Sequence, residues 1–227
     1  MIKIFKTIIF ISFIFTLNET LIYDLNFRGF NAGESILSIK LDTTTKDYNY
    51  HLTSIVKTNN FLDKIYKIRD RIDVLLNNKD YSIIKVLKKL NQGGKKTNFK
   101  SIINYDELTA SSNNKTITLP GKVLDPLGAI YYLRSHNIKI GDKFEFQTYD
   151  NDKLKDLIIV AKKKEMITTP MGVFECIVLF PEPKNGNLLK NKGAMKLWLT
   201  NDEKKIPVKI ENSTNIGKMI MKLKSIQ

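Results

Sequence analysis

From Leu21 onward apolar side chains recur at every second position, and no other feature of the sequence constrains the fold as strongly. Tyr23, Leu25 and Phe27 alternate with Asp24, Asn26 and Arg28. After Asn31-Ala32-Gly33, Leu37, Ile39 and Leu41 alternate with Ser38 and Lys40, and Tyr48, Tyr50 and Leu52 then alternate with Asn49, His51 and Thr53. A period of two sends successive side chains to opposite faces of a strand, so the chain opens as a three-strand meander.

The pattern continues almost to the end, punctuated by turn chemistry. Phe61 to Leu76 reads as a short turn of helix running into a strand, in which Asp70 shares a face with Ile68 and Ile72 and therefore needs a place near the rim or a basic partner. Ile83 to Leu90 and Phe99 to Tyr105 flank Asn91-Gln92-Gly93-Gly94-Lys95, a hairpin signal, and Ser111-Ser112-Asn113-Asn114 and Pro120-Gly121 mark loops. Further strands are expected at Phe144 to Tyr149, Leu157 to Ala161, Val173 to Phe180, Met195 to Leu199, Ile206 to Ile210 and Met219 to Leu223, with a β-turn at Thr169-Pro170-Met171-Gly172. About ten or eleven strands result, and a sheet of that size curls into a barrel or divides into two layers. The expectation is a large curved antiparallel sheet, open or closed like a β-barrel, with a two-layer sandwich as the alternative.

One segment breaks the period. Asp125-Pro126-Leu127 runs into Ile130, Tyr131, Tyr132, Leu133 and Arg134 with helical spacing, Asp125 as N-cap and Pro126 at the first helical position. This helix is expected to pack on the sheet or plug it.

Residues 1–20 differ from the rest. Lys3 and Lys6 precede an apolar run from Ile8 to Leu17, broken by Ser12 and Thr16, and Asn18-Glu19-Thr20 follows. About ten apolar residues after a basic start fit a secretory signal peptide, whereas a membrane span needs about 20. Asn18 to Thr20 only approximate a small-x-small cleavage pattern, which leaves an uncleaved anchor as the alternative. The expected organisation is a signal peptide over 1–20 and one β-rich domain over 21–227, exported to the periplasm or cell envelope.

Charge bears on partners. Lys+Arg 37 against Asp+Glu 23 gives a net charge of +14, enough to attract anions, yet no block of five or six basic residues occurs. Lys162-Lys163-Lys164 and Lys95-Lys96 are short runs placed where turns are expected. In an exported chain lacking any nucleic-acid motif, lipid, anionic glycan or a membrane surface outranks DNA or RNA. The single Cys176 and the two histidines, His51 and His136, provide neither an internal disulfide nor a four-ligand zinc set, and no cofactor or metal is expected.

Chemistry-bearing residues are few. Tyr131, Tyr132, Arg134 and His136 cluster on the helix, but no Ser, Cys or Glu stands at nucleophile spacing in this segment, and helix capping with aromatic packing explains it. Cys176 shares a face with Phe174, Val178 and Phe180 and reads as a buried inert thiol. Glu175 is the odd carboxylate of an apolar strand, and Trp198 and the Met219/Met221 pair read as core or as a cavity lining. Tyr131, Tyr132, Arg134, Glu175 and Trp198 are the candidate ligand-binding residues, with no catalytic set.

The order of these motifs resembles a known family. The run from Tyr23 to Glu34, then Asp125-Pro126-Leu127 into Tyr131-Tyr132-Leu133-Arg134, Ile140-Gly141-Asp142, Thr169-Pro170-Met171-Gly172-Val173-Phe174, Lys196-Leu197-Trp198-Leu199-Thr200 and Ile206-Pro207-Val208 together resemble the bacterial family called domain of unknown function 3108. The resemblance implies an exported, β-rich, single-domain bacterial protein and assigns no catalytic residue. The reading that emerges is a non-catalytic binding protein holding an amphiphile or an anionic envelope polymer. Its alternatives are an envelope assembly component acting through protein contacts and, as a minor one, a hydrolase built on Asp70, Glu175 or His136.

Overall fold

A computed structural model describes residues 18–44, 48–182, 195–214 and 217–227. Fourteen strands form one antiparallel sheet in the order β8-β7-β6-β5-β4-β3-β2-β1-β14-β13-β12-β11-β10-β9. The chain is thus two up-and-down meanders. The first comprises β1 (Glu19–Phe27), β2 (Phe30–Asp42), β3 (Asn49–Thr58), β4 (Arg69–Leu76), β5 (Ile83–Gln92), β6 (Lys95–Asn104), β7 (Thr109–Ser112) and β8 (Thr116–Thr118). The second comprises β9 (Lys143–Asp150), β10 (Lys153–Thr169), β11 (Gly172–Glu182), β12 (Met195–Thr200), β13 (Pro207–Thr214) and β14 (Gly217–Ile226). They fuse where β1 pairs antiparallel with β14, Tyr23 opposite Leu223 and Leu25 opposite Met221.

The sheet curls without closing. Its free edges, β8 and β9, are bridged by the segment carrying α2 (Gly128–Arg134), and Leu124 forms a parallel bridge to Thr148 on β9. The sandwich alternative is not realised among the described residues, since all the strands belong to one sheet.

Local chemistry explains most boundaries. Gly93 and Gly94 both take positive φ, 58° and 85°, in the two-residue turn joining β5 to β6, a geometry suited to the right-handed twist of a hairpin. One turn of helix, α1 (Asn60–Asp63), precedes β4, its first amides capped by Asn59 Oδ1 accepting from Leu62 N at 2.9 Å. In α2 five of seven residues are buried, Gly128, Ala129, Ile130, Tyr131 and Leu133. Such a helix belongs inside. Its regular hydrogen bonding starts at Gly128, later than Asp125-Pro126 implies, but Asp125 Oδ1 still accepts from Leu127 N at 2.7 Å.

Three sequence expectations are corrected. The strand expected at Leu157 to Ala161 is one part of β10, which is 17 residues long, and Lys162-Lys163-Lys164 lies inside it rather than in a turn. A bulge between Ala161 and Lys163 accommodates the run, and the lysines face Glu182, Glu165 and Glu175 at 2.6, 3.1 and 3.6 Å. A row of lysines looks like a loop to a hydrophobicity pattern, although an extended solvent-facing strand takes it equally well. Tyr48, read as the first inward residue of its strand, precedes β3 at φ 46° and is exposed. Ser111 and Ser112, expected in a loop, belong to β7, paired with Ile102 and Ser101.

Glu19 and Thr20, placed in the leader by the sequence reading, are the first residues of β1. Thr20 and Gln227 exchange both backbone hydrogen bonds at 2.9 Å. The remainder of the expected signal peptide, up to residue 17, lies outside the described residues.

Candidate functional site

The side chains that alternate inward along β1–β4 and β13–β14 leave space between the sheet and α2. One cavity of about 450 Å³ is lined by Leu37, Val56, Ile72, Ile210, Met221 and the helix-proximal Leu127, among others. A second, of about 270 Å³, lies toward the β1–β2 turn, bounded by Phe27, Ala32, Leu62 and Ile65. Leu25, Tyr66, Ile68 and Met219 line both, so the two adjoin along one apolar groove. A third cavity, of about 280 Å³, is bounded by Ala129 and Leu133 of α2 with Phe146, Leu157 and Leu197. Residues of the α2 segment and Asn212 contribute to the linings on both sides.

The polar groups of the larger cavity are mostly acceptors or hydroxyls. Asp70 accepts from Asn91 N at 2.9 Å and Gln92 Nε2 at 2.5 Å, and burial raises its carboxyl above the ordinary range despite those bonds. Asn212 Oδ1 is enclosed and finds no hydrogen-bond donor among the described residues. Ser35 and Ser54 complete the polar lining, whereas the Tyr23 hydroxyl is occupied in donating to Pro207 O at 2.8 Å.

Two enclosed ionic groups seat the helix. The Arg134 guanidinium grips both carboxylate oxygens of Glu19 and lies 5.0 Å from the Tyr131 ring centroid. These side chains are only 7% and 15% exposed, so the pair is largely withdrawn from water. Lys88, on the inward face of β5, binds Asp150, with the buried Asp125 close enough for its charge to feel Lys88. Burial is the larger influence on Asp125 and raises its pKa.

The five residues singled out from sequence are not among those lining the three cavities. Tyr131 is 1% exposed, and burial raises its phenol far above the ordinary range. Tyr132 sits between His136, tilted against it, and Phe146, edge to face, with centroids 4.5 and 5.5 Å away. Arg134 is committed to Glu19, so it is not an open anion grip. Glu175 is exposed on β11, bound by Asn201 and 3.6 Å from Lys164. Trp198 is buried, its Nε1 donating to Glu165 at 3.4 Å and its ring 3.9 Å beneath Lys209 Nζ. All five thus have structural contacts of their own.

Sequence reasoning missed Tyr66, Gln92, Leu127 and Asn212. It did register two signals that the groove explains: Asp70 in an apolar alternation, here answered by an amide and a backbone N–H rather than by a basic partner, and the Met219/Met221 pair. Asp70, Glu175 and His136, the hydrolase candidates, have separate surroundings: Asp70 the groove, Glu175 its contacts with Lys164 and Asn201, and His136 the rings of Tyr132 and Phe144. Cys176 is buried, with its thiol pushed up to about 12, chiefly by burial.

Fold and groove together define an open, barrel-like β protein with an apolar interior. The family described as Protein of unknown function (DUF3108) matches residues 22–224, and the chain belongs to that family. Among solved structures it is similar to a β-barrel-like protein of domain of unknown function DUF1849 from Brucella abortus. That likeness has a TM-score of 0.62 and 9% identity, and covers 93% of this chain and 98% of the other. At that identity it is a likeness of fold. No curated protein matches the chain.

Proposed function

We propose that this chain is an exported, non-catalytic carrier that holds one amphiphile in the groove between its curled sheet and α2. The observation that carries the reading is that the 270 and 450 Å³ cavities adjoin, sharing Leu25, Tyr66, Ile68 and Met219 in their linings. Small-molecule sites are typically concave, largely apolar and furnished with a few oriented polar groups. A hydrocarbon chain fits the apolar run. Asp70 and Asn212 Oδ1 present acceptors, so the head group expected there is a hydrogen-bond donor, neutral or cationic, rather than a bare anion. A long anionic polymer is less well supported, because many surface lysines, including Lys162, Lys163 and Lys196, already have carboxylate partners.

Native mass spectrometry of protein purified from an expressing periplasm, followed by organic extraction and comparison with refolded protein, tests this reading. A co-purifying amphiphile absent after refolding supports it. Bare protein that also fails to take up amphiphilic dyes overturns it.

One observation favours a second reading, an assembly component acting through protein contacts. Met166, Met171 and Val173 are exposed around the β10–β11 turn, and apolar side chains grouped at a strand tip suit a protein partner. Crosslinking from Val173 that captures a defined envelope protein, together with an empty groove, would move the assignment there.

A further inference from the structure

One end of the barrel has a composition that the carrier reading does not require. Three connections meet there: the β1–β2 turn, the α1–β4 segment and the β5–β6 turn. Asn59 Nδ2 donates to Asn31 O at 2.8 Å, tying the first two, and Gly93 N donates to Lys67 O at 2.9 Å, tying the last two. The Tyr66 ring lies directly against Gly93, where an added Cβ would come within 2.5 Å of it. This end is therefore one surface, held by named contacts.

The surface is apolar at its tips. Phe30 is 72% exposed, Phe61 66% and Ile65 73%, with Tyr66 beside them at 38%. Phe30 follows the Arg28-Gly29 turn and pairs with Phe27 across it. Around these tips stand the exposed Arg28, Lys64, Lys67, Lys95 and Lys96, while the acids of these connections are taken up, Asp63 by Arg69 and Asp70 by Asn91 N and Gln92 Nε2. The same surface borders the groove: Phe27, Arg28, Ile65 and Tyr66 line its 270 Å³ end.

We propose that this end is a docking face for an anionic lipid bilayer, with Phe30, Phe61 and Ile65 entering the interfacial region and the five basic residues contacting head groups. Large apolar side chains among cations are the composition that partitions into an anionic membrane interface, where neither element suffices alone. Charge complementarity and the continuity of the patch with the groove favour a membrane over a protein partner. The proposal deepens the carrier reading by giving the amphiphile a route, since the groove would open onto the surface from which its ligand is drawn.

The test is sedimentation of the mature chain with vesicles of phosphatidylcholine alone and of phosphatidylcholine with phosphatidylglycerol, at low and high salt. Binding is expected to the anionic vesicles, weakening as salt rises. The double variant Phe30→Ser/Phe61→Ser is expected to bind roughly tenfold more weakly or worse, and Lys95→Glu/Lys96→Glu to lose most of the salt-sensitive part. All four positions are exposed, so an unchanged Trp198 fluorescence spectrum and melting profile will show that both variants fold. Absence of vesicle binding would overturn the proposal, as would binding abolished by Val173→Ser at the β10–β11 turn but unaffected by the Phe30/Phe61 change. The carrier reading is scored separately by extraction of bound amphiphile, so bound ligand without vesicle binding sinks only the docking face.

Discussion

Among single residues, the enclosed charges are under the greatest energetic tension. Arg134 and Glu19 are nearly withdrawn from water, and removing one partner of such a pair leaves an uncompensated charge at a cost of about 3–5 kcal/mol. Arg134→Ala should therefore unfold at clearly lower urea than the parent, while Arg134→Met with Glu19→Leu should recover most of the loss; equilibrium urea melts followed by Trp198 fluorescence check both. Asp70 has the opposite sign to an ordinary salt-bridged carboxylate. Its folded pKa is raised by burial, so the folded state holds its proton to higher pH than the unfolded chain does. The ionised form then works against folding, and stability falls as pH rises from the ordinary carboxylate range through the raised value. Asp70→Asn should flatten that fall, which thermal melts between pH 4 and 7 will show.

Within the elements, bulges and glycines decide which face each side chain meets. In β10 the bulge between Ala161 and Lys163 shifts the pairing by one residue, so that Ala161 lies opposite Leu179 and Lys163 opposite Val178. Deleting Lys162 would remove the extra residue and leave Ala161 and Lys163 opposite Leu179 and Val178 in a regular ladder, so Ile167 keeps its partner Phe174 and its face. The expected outcome is a chain that stays soluble with a cooperative melt, and Lys162→Ala, which keeps the bulge, should change stability by less than about 1 kcal/mol. Gly33 is equally restrictive at φ 150°, because a Cβ there would sit 2.0 Å from Lys57 O on β3. Gly33→Ala should cost about 2 kcal/mol or more in a denaturant titration.

At the scale of the whole molecule, α2 is the part that turns a curled sheet into a container. It links the free edges of the two meanders and stands between the groove and the third cavity. Ile130 is fully buried in it. Ile130→Ala should cost about 2–5 kcal/mol through lost burial and an added void. If the groove is the binding site, the variant should take up more of an amphiphilic dye per protein than the parent; dye titration beside a urea melt separates the two effects.

Much of this architecture is legible along the chain. The alternation at Tyr23, Leu25, Leu37, Ile39 and Leu52 marks inward faces because a strand's period is local, and Gly93-Gly94 marks its hairpin because positive φ is a property of the residues themselves. Asp125-Pro126 announces the helix for the same reason. Which inward residues become wall and which become lining is decided elsewhere. Tyr131 and Arg134 look like a binding pair in sequence, but Tyr131 is buried beneath the Arg134 guanidinium, which is spent on Glu19, more than a hundred positions away. Asp70, Tyr66 and Gln92 converge within the first meander, and Asn212 joins them only because β1 pairs with β14 and so fuses two meanders whose ends lie far apart in the chain. Local pattern therefore determined most strands and turns, the helix and most inward faces, but not β7 or the lysine run inside β10. The curl of the sheet, the bulge registers, the groove and the apolar-basic end came from tertiary structure alone, since each depends on the summed twist and registry of strands that no short segment encodes.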